Sequence, residues 1–170
     1  YASGPEPSLS NTLVRERYDK FNERTGLKAP YMRINNINFN QFVSVADAIF
    51  CIGEPQGFSM QSYEKHCLPT YPIIPSSNYI NSYKLSGSAK SRKHFLCFAG
   101  SGLICKGVDI LVEAFSQLPD CHLHICGPME KALFAAYGDL IDASLNITFH
   151  GFIDVNSKDY QKIIKECSFT

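Results

Sequence analysis

The stretch His94-Phe-Leu-Cys-Phe-Ala-Gly-Ser-Gly-Leu-Ile-Cys-Lys-Gly107 decides the fold of this chain. The run from His94 to Ala99 is largely apolar without alternation, which is typical of a strand buried on both faces of a parallel sheet. A Gly-Ser-Gly turn ends this run, and apolar residues then recur at helical spacing from Val108 to Leu118, where Pro119 ends the pattern. The stretch therefore predicts a strand, a glycine turn and a helix.

This turn is a candidate anion site. Gly100, Ser101 and Gly102 offer backbone N–H groups at the start of a helix, where the helix dipole favours negative charge. Lys106, followed by Gly107, adds a positive charge on a flexible stem. The expected ligand group is a phosphate or diphosphate.

Two common phosphate motifs do not fit the order G-x-G-x-x-x-K-G. A dinucleotide-binding GxGxxG needs glycine in place of Cys105, and a P-loop needs Gly-Lys-Ser/Thr where the chain reads Lys106-Gly107-Val108. The alternative for Lys106 is a surface lysine at a helix start. Because a cation at that end is electrostatically unfavourable, the functional interpretation is preferred.

The strand–helix rhythm continues to the end of the chain. Strands are predicted over 121–126 and 146–150, and helices over 129–141 and 157–165. Three consecutive strand–helix units predict a parallel sheet in a Rossmann-like α/β layer. Ligands of such sheets bind at the carboxyl ends of the strands, where the turns Gly127-Pro128 and Gly151-Phe152-Ile153 are expected. The alternative is that these segments are simple connecting turns that bind no ligand, with Phe152 in the core.

The first part of the chain has a less regular pattern. A helix is predicted over 11–24, with Ser10 or Asn11 as its N-cap and Gly26 at its end. Two more helices are predicted, one from Asn38 onwards and one over 56–66. A buried strand is predicted over 46–53, and an extended segment over 71–75.

Charge and composition exclude several classes of protein. Sixteen basic and sixteen acidic residues cancel in this chain of 170 residues, so no nucleic-acid footprint is present. The seven cysteines show no C-x-x-C spacing and are expected to be reduced thiols of a cytoplasmic protein. No segment has the length and apolar character of a membrane span or the pattern of a signal peptide.

Two further groups of residues have side chains of the kinds that bind metals or act as acids and bases. His122, His124 and Cys126 share one face of a predicted strand, as metal ligands do, but side chains on successive pleats diverge and no carboxylate is close in sequence. No metal site is therefore predicted. Asp109 and Glu113 lie four residues apart on the predicted helix and are expected to face solvent or cap it.

The central stretch resembles the donor-nucleotide half of retaining glycosyltransferases of the GT-B fold (family 4, "group 1"). That family reads roughly G-R-L-x-x-x-K-G-x-D-x-L-x-x-A-F, and this chain reads G-S-G-L-I-C-K-G-V-D-I-L-V-E-A-F from Gly100 to Phe115. Beyond the opening glycine, six positions match the pattern: Lys106, Gly107, Asp109, Leu111, Ala114 and Phe115. In the family an arginine and this lysine hold the donor diphosphate. Here Ser101 or Gly102 stands near the arginine position.

The resemblance implies an α/β chain with Rossmann-like parallel layers, incomplete at both ends. Residues 1–75 would end the acceptor-side domain, 76–93 would be a linker, and 94–170 would begin the nucleotide-sugar domain. The paired glutamates of the family would lie beyond Thr170.

The activity implied by the resemblance is transfer of a sugar from a nucleoside-diphosphate sugar, with retention of configuration, to a glycan, lipid-linked or small-molecule acceptor. Neither a metal nor another cofactor is expected, because Lys106 takes the part of a divalent ion. The implied site residues fall into two groups: Gly100, Ser101, Gly102, Lys106 and Gly107 at the donor diphosphate, and Gly127, Pro128, Gly151, Phe152 and Ile153 near the base.

No catalytic residue is assigned. The fragment alone is expected to be inactive, and both self-association of the fragment and peripheral membrane contact of the intact enzyme stay open. The alternative function is a non-catalytic α/β interaction or scaffold module of GT-B type.

Overall fold

The computed structural model describes residues 4–73 and 93–167. The chain is a mixed α/β protein with two parallel sheets, as the sequence predicted. Its described residues divide into two compact units, one formed by 4–16 with 33–73 and the other by 17–32 with 93–167. The predicted linker 76–93 lies outside the described residues except for Lys93.

The first unit contains a two-stranded parallel sheet and several short helices. Its buried residues Ile49, Cys51 and Tyr63 pack with Phe39, Met60 and Leu68. The helix predicted over 56–66 is divided into a short α-helix and a 3₁₀ turn. The elements are α1 (Pro7–Thr25, whose second half belongs to the other unit), α2 (Phe39–Val43), β1 (Ile49–Ile52), α3 (Phe58–Gln61), a 3₁₀ helix (Glu64–His66) and β2 (Thr70–Ile73).

Helix α1 begins at Pro7, four residues before the predicted start. The cause is Glu6, whose carboxylate accepts hydrogen bonds from the backbone N–H groups of Ser8 at 3.0 Å and Leu9 at 3.2 Å. A side-chain acceptor at this position satisfies N–H groups that have no partner inside the helix. At the other end, Gly26 has φ +71° and ends the helix as predicted.

The Glu6 carboxylate is almost completely buried and also pairs with Lys65 at 3.0 Å. Burial alone would raise the pKa of this carboxyl, but hydrogen bonds from Ser8, Lys65 and the Leu9 N–H outweigh burial and lower the pKa from 4.5 to about 2. A carboxyl with a lowered folded-state pKa stabilises the fold fully above pH 4.5 and loses this contribution as the pH falls through about 2.

Glu6→Gln is therefore expected to flatten the pH dependence of unfolding between pH 4.5 and about 2. Because Lys65 is more than half exposed and solvent screens it, we expect a loss of about 1–2 kcal/mol at neutral pH. Urea unfolding of the first unit across this pH range measures the effect. The control is Glu64→Gln, which removes an exposed carboxylate from the same unit. Identical pH profiles for the two variants would contradict this account of Glu6.

The second unit contains the predicted three-stranded parallel sheet, in the order β3-β4-β5. Phe95 packs edge-on against Phe115 of α4, and Phe149 packs against Phe134 of α5. On the opposite face, Leu96 and Cys126 pack with residues of α6. Helices therefore cover both faces of the sheet. The elements are β3 (His94–Phe98), α4 (Val108–Ser116), β4 (His122–Cys126), α5 (Lys131–Ala143), β5 (Ile147–Gly151) and α6 (Lys158–Glu166).

The second half of α1 belongs to this unit, although the prediction placed all of 1–75 in the first domain. Tyr18 and Phe21 are fully buried here. The Tyr18 hydroxyl donates to Glu130 at 2.6 Å, and the Phe21 ring packs against Tyr137 with centroids 6.3 Å apart. These contacts, rather than the position in the chain, decide where residues 17–32 belong.

Asp109 is also placed differently from the prediction. It was expected to face solvent or cap α4, but its carboxylate is fully buried and accepts hydrogen bonds from Arg17 and Arg24 of α1. Glu113 is partly exposed, pairs with Arg24 at 3.2 Å and accepts a hydrogen bond from the Tyr137 hydroxyl. The two carboxylates thus connect α4 to its neighbours and do not form an acid–base pair.

The seven cysteines are free thiols. Among the helices in the described ranges, none has both the length and the apolar character needed to cross a bilayer.

Candidate functional site

The loop between β3 and α4 forms the candidate anion site. The N–H of Ala99 donates to the carbonyl of Cys126 at 2.7 Å and so continues the sheet beyond Phe98. The backbone then turns at Gly102, with φ +81°, and at Gly107, with φ +76°. Side chains other than glycine rarely adopt this left-handed conformation, so both glycines are required by the backbone.

Lys106 lies at the carboxyl end of β3, as the sequence predicted. Its Nζ atom is 3.6 Å from the position that a Cβ atom would occupy on Gly100. The side chain is exposed and forms no ion pair with the part of the chain that the structure describes. The ammonium group is thus aimed at the glycine turn and is available to an anion.

The positive charge of Lys106 also acts on a neighbouring thiol. Burial raises the pKa of the Cys97 thiol, and the Lys106 ammonium partly opposes this rise. The effect is consistent with an ammonium group that lies close to the end of β3.

The five predicted residues of this loop differ in exposure and in the use of their N–H groups. Within the described ranges the N–H of exposed Gly100 donates to no acceptor, whereas the N–H of Gly107 is used by the carbonyl of Ile104 at 3.0 Å. Ser101 is exposed, and Gly102 is buried. Gly100 and Lys106 are therefore the best-placed anion-binding groups of the five predicted residues.

Glu130 holds this loop against α5, and sequence reasoning missed it. The carboxylate is buried, accepts the Ile104 N–H at 3.1 Å and accepts the Tyr18 hydroxyl at 2.6 Å. Burial and this carboxylate raise the pKa of Tyr18 far above its ordinary value, so the phenol stays protonated and donates. The only sequence signal was an acidic residue in the first turn of a predicted helix.

The turns predicted near a nucleotide base meet at the same edge of the sheet. The Gly127 N–H donates to the carbonyl of Gly151 at 2.8 Å, and a Cβ on Gly127 would lie 2.5 Å from the carbonyl oxygen of Ala99. Gly127 is therefore needed for close backbone packing. Pro128 follows it and is half-buried.

The two apolar residues after β5 differ in their surroundings. Phe152 is 80 % exposed, so its alternative placement in the core is wrong. Ile153 is partly buried and packs against the cluster of Leu96 and Cys126. Of the two, Phe152 is the one available to a ligand.

Each strand of this sheet is followed or ended by an exposed apolar side chain. Phe98 ends β3 and is 47 % exposed, Met129 follows β4 and is 65 % exposed, and Phe152 follows β5. Phe98 packs edge-on against Tyr160, with ring centroids 5.2 Å apart. Exposed apolar side chains at the edge of the sheet that also has the Lys106 ammonium group suit a ligand that has both a flat ring and a phosphate.

Comparison of the chain with models of known protein families, with curated proteins and with solved structures found no match.

Proposed function

We propose that this chain contains the donor-nucleotide site of a retaining glycosyltransferase of the GT-B type, family 4. The observation that carries the proposal is the exposed Lys106 ammonium over the Gly100 turn at the carboxyl end of a parallel sheet. Such edges bind ligands in open α/β sheets because the loops after the strands converge there.

In this proposal the nucleoside diphosphate binds with its phosphates between Lys106 and the Gly100 N–H. Negative charge grows on the diphosphate as its bond to the sugar breaks, and a fixed ammonium group stabilises that charge. Phe152 and Phe98 flank the base. This assignment uses the same Lys106 position on which the sequence resemblance depends.

Lys106→Ala is expected to weaken the binding of UDP or GDP at least about tenfold, the effect of losing one charge-assisted contact of about 1.5–3 kcal/mol. Lys106→Arg keeps the charge and should retain most of the affinity. Calorimetric titration of the chain with UDP, GDP and ADP measures this effect and also identifies the preferred base.

The control is Lys20→Ala, which removes an exposed lysine of α1 in the same unit. It should leave affinity unchanged. Equal losses for the two variants would indicate a general charge effect and contradict a specific role of Lys106.

A second candidate function is a non-catalytic α/β interaction module of the same fold. Two observations favour it: the expected arginine is replaced near Ser101, and the Gly107 N–H is already engaged. The first unit also has an apolar groove, with Phe42 60 % exposed. Its lining residues are Ile37, Phe39, Phe42, Val43, Ala46, Ala48 and Ile49. Failure to bind any of the three nucleotides would favour this second function.

A further inference from the structure

Four histidines form a contiguous cluster on the face of the second sheet that α6 covers. The register pairs His94 of β3 with His122 of β4, and His124 lies two residues further along the same face. Thr148 of β5 lies opposite His124, and His150 follows it by two residues. The sequence alone showed only His122 and His124 together.

The imidazoles of this histidine cluster are in direct contact. His94 Nδ1 lies 3.0 Å from His124 Nε2, and His124 Nδ1 lies 3.0 Å from His150 Nε2. The His122 and His124 rings stack with centroids 4.5 Å apart, and His122 Nε2 is 2.8 Å from the Thr148 hydroxyl. Because His122 Nε2 lies against the Thr148 hydroxyl, the two ring nitrogens that approach each other for a common ligand are His94 Nδ1 and His124 Nε2.

His124 is 5 % exposed, and burial lowers its pKa to about 4, with further lowering by His122, His150 and His94. Burial also lowers the pKa of His122 and of His150. Neutral imidazole has one unprotonated nitrogen, which is the form that binds metal ions.

A carboxylate completes the set. Glu166 is the last residue of α6 and is exposed. One oxygen of its carboxylate, one nitrogen of His94 and one nitrogen of His124 all lie within 4.8 Å of one another. Two ligands bound tetrahedrally at about 2.1 Å from zinc are about 3.4 Å apart. The two histidine nitrogens at 3.0 Å are close to this spacing, and the Glu166 carboxylate, within 4.8 Å of both, has to approach by no more than about 1.4 Å.

We propose that His94, His124 and Glu166 bind a divalent transition-metal ion, zinc foremost. Two imidazoles and one carboxylate are a ligand set that zinc accepts, and the exposed side at Glu166 leaves a fourth position for water. His150 has the role of an outer partner, because its Nε2 lies 3.0 Å from His124 Nδ1. In the tautomer of His124 that carries its proton on Nδ1, that proton is donated to His150 and the Nε2 lone pair faces the metal. With His124 in this tautomer, the His94 Nδ1–H is the donor to His124 Nε2 in the metal-free chain, so metal binding moves the His94 proton to its Nε2 with no net loss of a proton.

This site is independent of the proposed nucleotide site. His94 is the first residue of β3, whereas Gly100 and Lys106 follow the other end of that strand. The set of His122, His124 and Cys126, for which no metal site was predicted, differs from the proposed ligand set, because Cys126 packs in an apolar cluster with Leu96, Ile163 and Cys167.

The test uses chain freed of metal by a chelator and then titrated with Zn²⁺ by calorimetry and with Co²⁺ by visible absorption. We expect binding of one ion per chain, and His94→Asn and Glu166→Gln should each weaken it at least about tenfold. Glu166→Gln alters an exposed side chain, so its fold is expected to stay intact.

The matched control is Asp159→Asn, which removes an exposed carboxylate from the same helix and should change affinity by less than about threefold. Co²⁺ bound by nitrogen and oxygen shows no thiolate charge-transfer band. Three results would overturn the proposal: absence of stoichiometric Zn²⁺ binding, a thiolate band with Co²⁺, or wild-type affinity in both His94→Asn and Glu166→Gln.

Discussion

Gly127→Ala is expected to lower the free energy of unfolding of the second unit by about 3 kcal/mol or more. A Cβ at this position would lie 2.5 Å from the Ala99 carbonyl oxygen and 3.1 Å from Leu103 Cδ2. The Leu103 side chain can rotate away, but the Ala99 carbonyl is part of the backbone that connects β3 to the loop before α4. The strand end or the loop must therefore move, and the hydrogen bond from Ala99 to Cys126 would be strained.

The matched control for this substitution is Gly138→Ala in α5. A Cβ there would meet no atom closer than 3.9 Å, and alanine is favoured over glycine inside a helix by about 0.5–1 kcal/mol. Urea unfolding should therefore show opposite signs for the two variants. Equal stability of Gly127→Ala and the unaltered chain would contradict the close approach of β4 to Ala99.

Asp109→Ala is expected to lower the free energy of unfolding by about 3 kcal/mol, because breaking a buried ion pair leaves its partners without compensation. The Arg17 side chain is 19 % exposed and Arg24 is 37 % exposed, so Arg24 can turn towards water more easily than Arg17. The expected loss is for this reason at the lower end of the range for buried pairs, about 3–5 kcal/mol.

The comparison variant is Glu113→Gln on the same helix. Its pair with Arg24 is partly exposed, so a loss of no more than about 1 kcal/mol is expected. Hydrogen exchange of the amides in residues 17–25 gives a second measurement, since Asp109→Ala should speed exchange there by loosening α1 from α4. A loss below about 1 kcal/mol for Asp109→Ala would show that the pair is not what attaches α1.

The strands and helices of the second unit were predictable because each has a strong local signal. The strands β3, β4 and β5 are short runs with a glycine at or just after their carboxyl ends, and α4 has apolar residues at helical spacing. At each end of these strands, the predicted bound differs from the observed one by no more than one residue. Local patterns of this kind do not depend on what packs against them.

The contacts of α1 could not be predicted in the same way. Its sequence is polar, and Tyr18 and Phe21 are two buried residues among many charges. Arg17 and Asp109 are 92 positions apart, and no periodicity relates charges over that distance. The start of α1 was missed because glutamate is less common than Ser, Asp or Asn as an N-cap.

The candidate sites differ in how much of each could be predicted from sequence. Lys106 and Gly100 lie within one loop, so local reasoning was enough to bring them together. The histidine cluster needs the register of three strands and the end of α6, which sequence spacing does not contain. A usable signal was present, since four of the five histidines fall in the strands of one sheet.

In the proposed function, the Gly100 turn and Lys106 bind the diphosphate of a nucleotide. The most direct measurement follows the backbone amide resonances of metal-free chain during titration with UDP and, separately, with uridine. We expect saturable shifts at Gly100, Ser101 and Lys106 with UDP, little change with uridine, and loss of the UDP shifts in Lys106→Ala. Unchanged resonances at these residues with UDP, or equal shifts with uridine, would contradict it.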